Sequence, residues 1–153
     1  MIHRPLALLS MIATVALLPA PTPAAAYYGR EALVGLRQYG IAVRVVCTGA
    51  LEQHQEAFSE HIQRRLEARK VQVVQDGSVA LKLFVSNIQS SDGLFVVHMR
   101  MELCQSSYLG SNNKIVDAPT WDAWKMGEYR EDELLSEVDD LARQFLNDYI
   151  AAN

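Results

Sequence analysis

The sequence predicts an α+β fold of order β-α-β-β-β-α, a mixed sheet with two helices packed on one face. Three observations predict it. Strand-like runs rich in β-branched and alternating apolar residues stand at 41–47, 79–88 and 94–104. Apolar residues recur at helical spacing over 51–68 and 131–152. Between the second and third of these strands lies Asp92-Gly93, a strong hairpin signal.

The elements follow in order. Ile41-Ala-Val-Arg-Val-Val-Cys47 reads as a buried or half-buried strand, broken at Thr48-Gly49. In the first helix Leu51, Phe58, Ile62 and Leu66 form the apolar stripe. Glu52 and Glu56 near its start, and Arg64, Arg65, Arg69 and Lys70 near its end, complement the helix dipole. A short strand is expected at 71–74, with a turn at Asp76-Gly77. The strand at 94–104 alternates most clearly: Val97, Met99, Met101 and Leu103 point one way, His98, Arg100, Glu102 and Cys104 the other. A polar loop is expected at 105–113 and a further strand at 120–126, after Pro119. The last helix carries Leu134, Val138, Leu141, Phe145 and Tyr149 on one stripe, with Glu131, Asp132 and Glu133 crowding its N-terminus. The first strand, helix and second main strand form a parallel β-α-β unit. The next two strands are expected as antiparallel partners.

Composition narrows the function classes. The chain has 153 residues, half of them apolar, with 14 basic against 18 acidic side chains and a formal charge of −4. That balance argues against a nucleic-acid partner. Residues 1–26 have the three parts of a secretory signal: Arg4, an apolar run over 6–18 and a close of Ala24-Ala25-Ala26. The run is too short to span a bilayer, which needs about 20 residues. Cleavage would leave residues 27–153 as one exported, periplasmic or secreted domain. Losing Arg4 leaves 13 basic residues against 18 acidic ones. Residues 27–129 balance at 11 of each, so the acidic excess sits on the last helix.

The two cysteines are too few for a disulfide-dense scaffold or a four-thiolate zinc site. An exported protein commonly oxidises such a pair. Here the expected topology puts Cys47 and Cys104 at opposite ends and on opposite sides of the sheet, and a disulfide needs Cα atoms within about 7 Å. They are retained as possible redox thiols. His54 and His61 share one flank of the first helix and hint at a metal or small-ligand site, but a third ligand is missing, since Glu52, Glu56 and Glu60 lie opposite. No nucleophile elbow, phosphate-binding glycine loop or EF-hand spacing is present. The expectation is a non-enzymatic protein without a cofactor.

The informative surface is the sheet face that two helices leave uncovered. Alternation assigns Arg44, Lys82, Phe84, His98 and Arg100 to it, together with Trp121 if Trp124 and Met126 point inward. Aromatic residues with arginine are what protein interfaces favour, so an envelope protein or a second copy is the expected partner.

The leader, Val43-Arg-Val-Val46, Leu81-Lys-Leu-Phe-Val85, the long hairpin strand and the closing Leu141-Ala-Arg-Gln-Phe-Leu-Asn-Asp-Tyr-Ile-Ala-Ala-Asn153 resemble small exported bacterial proteins. The order is similar to the N-terminal domain of the Tol-system β-propeller protein (TolB), to the LpoB-like lipoprotein activators of penicillin-binding proteins, and to auxiliary lipoproteins of lipid transporters. This resemblance implies binding of envelope proteins and no catalytic residues. The lipid-anchoring cysteine of many such proteins is absent here.

Overall fold

The computed structural model describes residues 28–90, 92–109 and 114–153; residues 1–27 (which contain the expected leader), residue 91 and residues 110–113 lie outside them. The elements are β1 (Ile41–Cys47), α1 (Gln55–Ala68), β2 (Val73–Val74), β3 (Val79–Gln89), β4 (Phe95–Leu109), β5 (Lys114–Tyr129) and α2 (Leu134–Ala152). Short 3-10 turns precede β1 and both helices. The five strands form one sheet in the order β2-β1-β3-β4-β5. β1 is parallel to β2 and β3, while β3, β4 and β5 are antiparallel in sequence. The expected α+β architecture is therefore present.

β4 and β5 are longer than periodicity indicates. Residues 105–109 and 114–119, expected as loop and lead-in, are paired strand. They lack a regular alternation, because this part of the hairpin extends past the start of β3, whose first residue Val79 pairs with Gln105. Helix α1 starts later than expected because Gly49–His54 is a 3-10 turn, entered through Gly49 at φ 65°.

Both helices cover the same face. Leu81, Leu83 and Val85 of β3, and Val97, Met99, Met101 and Leu103 of β4, pack under Phe58, Ile62 and Leu66 of α1 and Val138, Leu141, Phe145 and Tyr149 of α2 in one apolar core. α1 ends in a paired C-terminal motif: Val71 N–H donates to the Leu66 carbonyl and Lys70 N–H to that of Glu67. Lys70 takes φ 60°, a left-handed position that glycine occupies at lower cost.

The helices run parallel and in step. His54 Nε2 lies 2.7 Å from Glu131 Oε1, and His61 Nε2 lies 2.7 Å from Asp139 Oδ1. Asp139 is the buried charged residue at their interface. It accepts Arg65 through both oxygens and Arg143 at 2.9 Å. The Arg65 guanidinium, helped by His61 and Arg143, holds its carboxyl well below the usual carboxylate range.

Candidate functional site

The uncovered face is read in rows across the ladder. One row is Val46, Phe84, Arg100 and Trp124; the next is Arg44, Lys82, Glu102 and Asp122. On the other side lie Ser86, His98 and Met126, then Ile88, Val96 and Glu128. Val46, Phe84, Ile88, Val96, Trp124 and Met126 are all exposed. His98 and Trp124 approach with ring centroids 6.4 Å apart.

The structure thus places Arg44, Lys82, Phe84, His98 and Arg100 on this face. Trp121 is not there. It is 2% exposed, stacks edge-on against Phe145 at 5.2 Å, and its Nε1–H donates to Asp148 Oδ2 at 3.1 Å. Trp124, 64% exposed, occupies the open face instead. The physical reason is Lys125. Its charge makes the 124 and 126 positions look inward by alternation, yet it is Lys125 that turns toward the helices, where Glu137 (2.5 Å) and Asp140 (2.8 Å) receive its ammonium. The register is set by β4: Met99 opposes Lys125, Met101 opposes Ala123 and Leu103 opposes Trp121. A bulge between Leu103 and Cys104 then leaves Thr120 as the extra residue, its hydroxyl donating to the Leu103 carbonyl.

Charges on the open face are mutually paired. Arg100 lies 3.3 Å from Asp122 and 3.4 Å from Glu102; Lys82 is 3.9 Å from Asp117 and Arg44 3.8 Å from Asp76. The first described residue, Tyr28, donates its hydroxyl to Asp122, while Arg30 reaches Asp148 of α2. Two rows across four strands and two across three, at about 6.6 Å and 4.8 Å spacing, span roughly 240 Å². Such a patch is neutral and apolar-centred. It falls short of the about 800 Å² per partner of a standard interface.

The cysteines stay apart. Cys47 opposes Val85 and Cys104 opposes Ala80, so the two are five β3 positions apart, about 16 Å along the strand. Cys47 belongs to the helix-covered core and Cys104 to the alternate side. Both are buried free thiols. Burial, with Glu52 nearby, pushes the Cys47 thiol up to about 11; burial and Glu102 push Cys104 up. Neither is an activated thiolate. Thiol titration of denatured, unreduced protein is expected to find two free thiols per chain; none in a monomer would overturn the strand order.

His54 and His61 do not converge. Each is committed to a different carboxylate, Glu131 and Asp139. Among the described residues no group of three or more His, Cys, Asp or Glu is placed to hold a metal ion, and no helix is long and apolar enough to cross a membrane.

No family model and no curated protein matches the chain. Solved structures give distant similarities. A point-variant PelC dodecamer from Paraburkholderia phytofirmans has 16% identity and a TM-score of 0.45, covering 80% of this chain and 91% of that one. A minor lipoprotein from Acinetobacter baumannii has 17% identity and a TM-score of 0.34, covering 74% and 91%. The rare lipoprotein B from Shewanella oneidensis has 11% identity and a TM-score of 0.23, covering 72% and 87%.

Proposed function

We propose that the chain is an exported, non-enzymatic accessory protein of the bacterial envelope that binds a protein partner through the uncovered sheet face. The observation that carries this reading is the exposed row Val46, Phe84, Arg100 and Trp124, continued by His98 and Met126. A water-facing sheet surface is ordinarily polar at these positions. Here apolar side chains flank an arginine already oriented by Glu102 and Asp122. Export rests on the Arg4, apolar and alanine-rich leader. The small patch fits a transient contact, or one shared with neighbouring loops.

The test is photocrosslinking in living cells, with a photoreactive residue at Trp124, at Phe84, or at Leu135 on the exposed side of α2. The expected result is one discrete adduct from positions 84 and 124 and none from 135. An adduct of twice the chain's mass identifies a second copy; any other discrete mass identifies an envelope protein. No discrete adduct from 84 or 124, or the same adducts from 135, would overturn the reading. N-terminal sequencing of the exported protein checks the leader, with Tyr27 expected first.

A further inference from the structure

A groove lies between the C-terminal halves of the helices, in the layer opposite the open sheet face. Arg65 and Ala68 of α1, Arg69 at its C-cap, and Arg143, Leu146 and Asn147 of α2 line it. Its volume is about 80 Å³, several times the roughly 10–15 Å³ that admits one water by this measure. Three guanidinium groups border it and no carboxylate is among the lining residues.

The acidic groups of this region sit behind the arginines. Asp139 grips Arg65 through both oxygens and Arg143 at 2.9 Å; Asp140 holds Arg143 at 3.1 Å and is shared with Lys125. Arg65 and Arg143 nevertheless keep 50% and 60% of their side-chain surface in solvent. A guanidinium has five donors in a planar fork, so donors remain after these pairs are made. Arg69 completes the set, exposed and without a carboxylate partner among the described residues. At the end of α1 the Leu66 carbonyl accepts from the amides of Arg69 and Val71 and the Glu67 carbonyl from that of Lys70, so these two carbonyls are satisfied within the cap. Leu146 and Ala68 give the groove an apolar floor, and the Asn147 amide adds a polar group.

We propose that this groove is a binding site for a phosphate-type oxyanion, held by Arg69 together with Arg65 and Arg143, the last two positioned by Asp139. Arginine forks suit such oxyanions because paired N–H groups meet paired oxygens. Orientation by Asp139 lowers the rotamer entropy that binding must otherwise overcome. The oxyanion comes either as a free phosphate or as the headgroup of an anionic phospholipid.

The experiment uses the purified protein and two probes at physiological ionic strength. Inorganic phosphate is titrated while backbone amide shifts are followed; phosphatidylglycerol vesicles, with phosphatidylcholine vesicles as control, are tested by co-sedimentation. Arg69→Glu is compared with Arg37→Gln, an exposed arginine elsewhere. Phosphate binding that moves residues 65–69 and 143–147 and weakens at least fivefold in Arg69→Glu supports a free anion. Binding to phosphatidylglycerol vesicles alone, with the same loss, supports a headgroup. In both cases Arg37→Gln binds as the unmodified protein does. Failure of both probes, or a loss below fivefold in Arg69→Glu, overturns the site. Arg69 touches neither the sheet face nor the Asp139 pairings, so the variant folds and leaves the partner contact intact.

Discussion

Two tryptophans three residues apart on β5 meet opposite fates, and so do the two faces of the sheet. Trp121 is buried against Phe145 with its indole N–H satisfied by Asp148; Trp124 stands in water beside His98. On the covered face, the inward residues of β3 and β4 join two helices in one core. On the other, the same strands present apolar side chains beside paired charges, and no element among the described residues covers the exposed Val46, Phe84, Trp124 and Met126. The helix-covered face therefore holds the stabilising burial, and the open face is free to be selected for contact. The contrast teaches that side-chain type alone did not assign these residues; the partner opposite each one in the ladder did.

The largest expected effect breaks the covered side. Trp121→Ala should cost about 3–5 kcal/mol, because it leaves a cavity and strands Asp148 without the indole donor; urea unfolding measures it. A cost near zero would mean that β5 is out of register. Asp139→Asn should cost about 2 kcal/mol at neutral pH through weakened charge-assisted bonds to Arg65, His61 and Arg143. Because the Asp139 carboxyl is held low, its stabilisation is full above the unfolded carboxylate value near 4 and is lost as pH falls below it. The gap between the unmodified protein and Asp139→Asn should accordingly shrink from pH 7 to pH 3. Lys70→Gly should stabilise by up to about 1 kcal/mol, since only the left-handed backbone changes in cost and the paired amides remain; thermal melting reads it. The smallest effect sharpens the open side: Trp124→Ser should change stability by under about 0.5 kcal/mol. A large loss there would mean that Trp124 is core.

Much of the fold was legible because long periodic segments specify themselves. Val97, Met99, Met101 and Leu103 alternate cleanly, and the apolar stripe of α2 runs from Leu134 to Tyr149. The Asp92-Gly93 turn marks the β3–β4 hairpin, where Gly93 takes φ 83°. What the sequence alone left hidden depends on partners remote in the chain. Residues 106–109 pair with 114–117 beyond the reach of β3, and their mixed polar and apolar side chains form no alternating run that announces a strand. Lys125 looks like a solvent residue until Glu137 and Asp140 are brought across from α2. That single inward lysine reversed the reading of Trp121, Trp124 and Met126. The groove beside Arg69 was hidden for the same reason, since its arginines come from two helices 74 residues apart at the Arg65–Asp139 contact.

Lys125 has one more consequence. β5 is the outer strand of the sheet and 16 residues long, a length that invites another chain to add itself sideways by backbone pairing. A charge turned inward and the missing N–H of Pro119 are devices that discourage such pairing. Tyr28, reaching across to Asp122, stands at the same border. The β5 edge thereby carries features that disfavour growth of the sheet into a ribbon of copies.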